Sequence, residues 1–263
     1  MKKILALTIA VLMLLVCFTA CSKENIEDDN AGAFKEEVVL MYENFYYSTN
    51  DDGTYEITGI RLITNDHVDV EIPTEIEGRE VTGIAADAFK SINTIESIEI
   101  PEGILYIGDY AFYGCTALKN VNVPASLETI GKGAFEGCVS LKKLDVAEDS
   151  GLMSVGNYAF KDCTALEFFS FSGVITTVGD AAFMNCDALT SVSLQANVAK
   201  LGKSAFAACE KLDSIYVAND KLEIGDGAFF TGADKVTVTA NEGSTAETYA
   251  AKNSNYIVFE IAE

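Results

Sequence analysis

Tryptophan is absent from the 263-residue chain, proline occurs three times and histidine once. Without tryptophan the chain lacks the preferred platform for stacking a sugar ring, so tyrosine or phenylalanine would have to serve. The single histidine, His67, has Asp66 and Asp69 beside it in sequence. It has no partner pattern, however: no nucleophile elbow, HExxH or P-loop occurs, so His67 reads as a surface residue and not as a general base. Basic residues are also scarce, 18 against 40 acidic ones, for a net charge of −22. Such a charge repels phosphate backbones and anionic lipid surfaces, which excludes nucleic-acid binding. Carboxylates are plentiful enough for some pair to reach glycosidase separation by chance, and nothing in the sequence selects one. No catalytic residue, metal or cofactor is expected.

No CxxC pair exists among the seven cysteines, so zinc-ribbon and thioredoxin-like readings lack their signature. Five of the cysteines, Cys115, Cys138, Cys163, Cys186 and Cys209, share one register with Ile92 and Gly232. A slot that accepts cysteine, an aliphatic side chain or no side chain points to a small buried packing position. A disulfide between neighbouring positions is the alternative, and an odd count of five would leave at least one thiol free. The acidic turn Asn50-Asp51-Asp52-Gly53 hints at calcium, but with Gly53 at position six an EF-hand-type loop would begin at Ser48 and end at Gly59, which fails.

What the chain does have is a repeat. Ala-Phe pairs end at Phe89, Phe112, Phe135, Phe160, Phe183, Phe206 and Phe229, spaced 23 residues apart except for one gap of 25. Four residues before each Phe comes Gly108, Gly131, Gly156, Gly179, Gly202 or Gly225, with Ala85 in the first unit. A glycine recurring at one register implies either a turn with positive φ or a close backbone approach. The residue before it is always aliphatic, from Ile84 to Ile224, and six after the Phe stands Ile95 or a leucine from Leu118 to Leu212. A short alternating run follows, as in Ile98-Glu99-Ile100, Val121-Asn122-Val123, Phe169-Ser170-Phe171 and Ile215-Tyr216-Val217. Alternation of this kind predicts a strand with one buried face. Pro73, Pro101 and Pro124 each stand just after such a run, where a residue without an N–H ends a strand. A period this short is one unit stacked on itself, each unit burying its apolar side against the next.

The pattern Ile-Gly-x-x-Ala-Phe-x-x-Cys-x-x-Leu-x-x-Ile-x-Ile-Pro resembles the bacterial surface-antigen leucine-rich repeat of the BspA type, over residues 68–240. The resemblance implies a right-handed repeat solenoid of about seven 23-residue coils. Parallel strands would form one face, with short turns or helical segments opposite. At about 4.8 Å per strand, that face would be roughly 30 Å long. Residues 38–67 read as an N-terminal cap, with Phe45-Tyr46-Tyr47 and Tyr55-Glu56-Ile57 flanking the 50–53 turn as a hairpin. Residues 241–263 read as a C-terminal cap, with Ala246, Tyr249 and Ala250 at helical spacing and Tyr256–Phe259 as a closing strand.

The N-terminus reads as an export signal over residues 1–20: Lys2 and Lys3, then the apolar stretch Ile4–Leu15. It ends Phe18-Thr19-Ala20-Cys21, which resembles a bacterial lipobox with Phe18 where leucine is usual. Lipidation of Cys21 is therefore expected, the alternative being a conventional cut near Ala20 that releases a soluble protein. Loss of the two lysines takes the net charge to about −24. Residues 21–37 are acidic and poor in large apolar side chains, a solvated tether from the lipid to the fold.

If the strands alternate, the middle coils present Asn120 and Asn122, Lys143 and Asp145, Phe168 and Ser170, Ser191 and Ser193, and Ser214 and Tyr216 outward. Phe168 and Tyr216 stand out as aromatic anchors among small polar groups. The candidate ligand-binding set is Lys143, Asp145, Phe168, Ser170, Ser193 and Tyr216. Isolated exposed aromatics are also ordinary on protein surfaces. The expectation is an exported, lipid-anchored protein at the cell surface that binds an extracellular protein or host-matrix ligand, with membrane contact only through the lipid. A glycan-binding accessory role or an envelope-structural role without external ligand are the alternatives.

Overall fold

The computed structural model describes residues 39–40, 44–62, 66–146, 149–171 and 174–262. The expected signal segment, Cys21 and the expected acidic tether lie outside the described residues. The described part opens with β1 (Val39–Leu40), β2 (Phe45–Thr49) and β3 (Tyr55–Ile60), followed by β4 (Val68–Glu71), β5 (Glu75–Ile76) and β6 (Arg79–Ile84). From there each coil carries one longer and one very short strand. These are β7 (Ile95–Glu99) with β8 (Tyr106–Ile107), β9 (Asn120–Val123) with β10 (Thr129–Ile130), and β11 (Lys143–Val146) with β12 (Ser154–Val155). Then come β13 (Thr177–Val178), β14 (Ser191–Leu194) with β15 (Lys200–Leu201), and β16 (Ser214–Val217) with β17 (Glu223–Ile224). The last elements are β18 (Val236–Ala240), α1 (Thr245–Lys252) and β19 (Ile257–Ile261).

The architecture is the expected solenoid with parallel strands and little helix, but it has two ladders. The short strands form a continuous parallel ladder from β6 through β8, β10, β12, β13 and β15 to β17. The alternating runs form the other. The short ladder's signal was the polar–aliphatic pair before each glycine, Thr129-Ile130 for example, too brief to register as a strand by periodicity.

Between the ladders runs a core of identical side chains. Phe89, Phe112, Phe135, Phe160, Phe183 and Phe206 stack with centroids 5.0–5.3 Å apart and planes within 14° of parallel. That separation is the strand spacing itself. Backbone bonds hold each coil at this distance: the N–H of Phe112, Phe135 and Phe160 donates to Ala134, Ala159 and Ala182 O of the following coil, each at 2.7 Å. The cysteine column completes the arrangement. Cys115, Cys138, Cys163, Cys186 and Cys209 are buried free thiols. Each Sγ donates to the carbonyl of the preceding coil's Phe at 3.0–3.2 Å.

The recurrent glycines owe their place to close approach. None of Gly108, Gly131, Gly156, Gly179, Gly202 or Gly225 has positive φ, and a Cβ on Gly202 would lie 2.3 Å from the backbone carbon of Gly179. Within the coils positive φ recurs two before and two after the Phe, and most of these residues are not glycine: Asp87, Tyr110, Tyr158, Ala181 and Ser204 before, Ser91, Asp162, Asn185 and Ala208 after. Each such residue costs of order 1–2 kcal/mol. The cost is offset because these positions also donate to the next coil, as Tyr110 N does to Lys132 O at 2.8 Å.

Both ends of the stack are covered. β2 and β3 form an antiparallel hairpin, and β3 joins β6 in parallel. Tyr106 fixes this hairpin: its ring lies over Gly83, where a Cβ would be 2.1 Å from Cζ, and its hydroxyl donates to Glu56 Oε2 at 2.9 Å. At the other end Ser244 Oγ accepts from Glu247 N, and Glu247 Oε2 accepts from Gly243 N, a reciprocal cap that starts α1. The helix turns Tyr249 edge-on to Phe229 at 5.4 Å. β19 then pairs with β18 in parallel.

Two outcomes follow. Gly202→Ala should destabilise the protein by about 1–3 kcal/mol through overpacking against immovable backbone, read as a lower denaturant midpoint. The thiols predict alkaline lability. Burial holds Cys138, Cys163 and Cys186 far above the ordinary thiol range and Cys115 at about 12. Above about pH 8.5 the unfolded chain ionises these thiols while the folded chain does not. Stability should therefore be undiminished below that pH and fall as pH rises, by up to ~1.4 kcal/mol per thiol per pH unit. Denaturant midpoints from pH 7 to 10.5 would show this, with a shallower slope for Cys163→Ala.

Candidate functional site

The strand face is where the stack departs from regularity. The longer strands form two sheets, β1-β4-β7-β9-β11 and β14-β16-β18-β19. The run Phe169-Ser170-Phe171, expected to be a strand, is not one. Its coil joins β11 through a single bridge, Lys143 to Phe168. On its other side the ladder stops. A bond repeats at the start of each run: Lys119 N to Glu96 O, Lys142 N to Lys119 O, Glu167 N to Lys142 O and Asp213 N to Thr190 O. Among the described residues, no such bond links Thr190 to Glu167. The expected continuous 30 Å face is therefore interrupted.

The cause is the size of the inward side chains. Other coils put Val, Ile, Leu or Ala in the two inward slots of this run, whereas this one puts Phe169 and Phe171, both buried. Phe169 lies between Phe160 and Phe183, at 5.3 and 4.9 Å, while Phe171 reaches Phe206, two coils on, at 6.2 Å. Rings that lean across coil boundaries hold the strands above them apart. Elsewhere the same coils stay tied, with Asp162 N to Met184 O at 2.8 Å before the opening and Gly202 N to Val178 O at 2.8 Å after it. The stack is thus opened on one side only.

A groove of about 380 Å³ lies along this opening. It brings together four of the six candidate residues, Phe168, Ser170, Ser193 and Tyr216, and adds Ser191, Ser214, Gln195 and Thr239. Phe168 and Tyr216 are 57% and 42% exposed, and two coils separate them, or roughly 10 Å. Val192 and Ile215 form part of the floor. Lys143 is not among the described residues that line the groove; it and Asp145 lie in β11, on the closed side of the bridge, where pairing with β9 is intact. Nothing in their own coil signals that the opening lies beyond the next one. Thr239 and Gln195 were legible in principle. Thr239 pairs in register with Tyr216, and Gln195 fills the slot that Pro101 and Pro124 hold in earlier coils.

His67 Nδ1 rests against the Glu96 carboxylate, which Lys119 also approaches at 3.2 Å. Among the described residues no three His, Cys, Asp or Glu side chains converge as metal ligands, and no helix is long and apolar enough to cross a membrane.

The sequence matches the family model of the BspA type leucine rich repeat region over residues 82–171 and 149–258, more than half of the chain. The chain belongs to the BspA-type leucine-rich repeat family. The chain is similar to several solved structures. A leucine-rich repeat protein of T. pallidum is 22% identical, with 86% of this chain and 100% of that one covered and a TM-score of 0.52. A leucine rich cell surface protein from Faecalibacterium prausnitzii is 23% identical, with 74% of this chain but 55% of that one covered and a TM-score of 0.49. A leucine-rich repeat protein from Bacteroides ovatus is 23% identical, with 85% and 76% covered and a TM-score of 0.48. No curated protein matches the chain.

The interrupted ladder of this repeat protein predicts uneven protection. Backbone amides of 169–171 and 191–193 should exchange with deuterium faster than those of 120–123 and 143–146. Peptide-resolved exchange mass spectrometry measures this.

Proposed function

We propose that the protein is a cell-surface lipoprotein whose solenoid binds an extracellular partner, protein or matrix, and so serves in adhesion. The groove carries this reading: exposed aromatic side chains, the kind of anchor that interfaces favour, frame a row of small polar groups on a rigid sheet. Solenoids present extended faces of this sort and, as a class, act as binding scaffolds and not as catalysts. The signal-like residues 1–20 and the lipobox-like Phe18-Thr19-Ala20-Cys21 support a location outside the cytoplasm on a lipid anchor. One structural neighbour is described as a cell surface protein, which accords with that location.

Cys21→Ser should move the exported protein from the membrane fraction to the medium and abolish incorporation of labelled fatty acid. Purified protein should bind matrix proteins or whole bacteria saturably. Phe168→Ala/Tyr216→Ala should lose that binding by about tenfold or more, with circular dichroism unchanged. Retained binding in the folded double variant would move the site off the groove. Absence of binding at high micromolar concentration would favour an envelope-structural role.

A further inference from the structure

The lining of the groove defines the chemistry of its occupant, granted the reading of this face as a binding surface. Among the described residues, no Asp, Glu, Lys or Arg lines it, although 22% of the chain is charged. A charged ligand group brought here would be desolvated without a counter-charge, which is costly. The occupant is therefore neutral. Between the rings the surface is hydroxylic: Ser170, Ser191, Ser193 and Ser214. Among the described residues, only Ser193 of these four is engaged, accepting from Gln195 Nε2 at 3.0 Å. Each open hydroxyl can donate and accept, and so can the strand backbone that, among the described residues, the break leaves unpaired. Such a floor matches a ligand dense in groups that both donate and accept. The exposed rings of Phe168 and Tyr216 match one with apolar C–H faces.

We propose that the groove binds a neutral oligosaccharide. Its sugar faces rest on Phe168 and Tyr216, and its hydroxyls bond to the serine row. An added peptide strand is the other neutral occupant a broken ladder suggests. It would need its own slot of about 4.8 Å between coils, and the inter-coil bonds from Asp162 to Met184 and from Gly202 to Val178 deny it that space.

The test exposes purified protein to arrays of neutral oligosaccharides, of sialylated and sulfated ones, and of uncharged peptides. Calorimetric titration with the strongest neutral glycan follows. Binding is expected to neutral glycans alone. Phe168→Ala and Tyr216→Ala should each weaken it about tenfold or more. Tyr216→Phe, which keeps the ring, should largely preserve it, and Ser193→Asp should abolish it. Unchanged circular dichroism and melting temperature would show that every variant is folded. The proposal falls if no neutral glycan binds, if binding ignores both aromatic variants, or if uncharged peptides bind the groove in its place. If a protein partner is lost on the same variants while no glycan binds, the surface reading stands and the sugar assignment fails.

Discussion

Every coil is held about 5 Å from a near-copy of itself by backbone hydrogen bonds, and the rest of the structure answers to that spacing. At 5.0–5.3 Å the phenylalanine rings stack face to face. Each thiol reaches the preceding Phe carbonyl, which also accepts the N–H three residues further along its own coil, as Phe112 O does from Cys115 N at 3.1 Å. Both lone pairs of a buried carbonyl are thereby satisfied, as buried polar groups require. The same spacing leaves no room for a Cβ where one coil's glycine rides on the next.

The constraint governs charge as well. Any residue type repeated in an exposed column would meet itself at 5 Å, and like charges at that distance repel. Three residues before the Phe the column reads Asp109, Lys132, Asn157, Asp180, Lys203, Asp226, so no two neighbouring residues carry the same sign. Its acceptor side chains also bond the backbone of the following coil, Asp109 to Lys132 N at 2.7 Å and Asp180 to Lys203 N at 2.8 Å. One residue after the Phe, Glu136 faces Lys161 at 2.8 Å. A chain of net charge −22 can stack in this way because its acids are distributed among columns instead of accumulating in one.

Much of this was legible in the sequence because identical positions must make identical contacts. The phenylalanine, cysteine and glycine columns, the aliphatic slots and the alternating strands could be read by aligning the chain with itself. What escaped was whatever a column cannot show. The short ladder occupies two residues per coil, below the reach of periodicity. Positive φ falls on Tyr110, Ala181 and Ser204, types that carry no conformational signature, because inter-coil bonds impose the geometry. Phe169-Ser170-Phe171 satisfied the alternation rule and still failed to make a strand, since a pattern of apolar and polar residues records polarity and not volume. Lys143 and Asp145 were placed in the candidate set for the same reason. Alternation identifies the outward side of every coil but not the one coil whose neighbour has opened.

That opening joins stability to recognition. Inward positions answer to stacking and are nearly uniform from coil to coil. Outward positions on the strands touch little of the core and can differ without cost to the fold. Phe169 and Phe171 are the inward residues that break uniformity most, and their cost is borne locally, in strand bonds not made between 168–171 and β14. The backbone groups so released, the serines around them and the exposed rings of Phe168 and Tyr216 coincide because one packing choice produces them all. A regular coil at this position, with valine or leucine inward, would restore the ladder and close the groove. The irregularity is therefore the means by which a self-similar scaffold acquires one surface unlike its others.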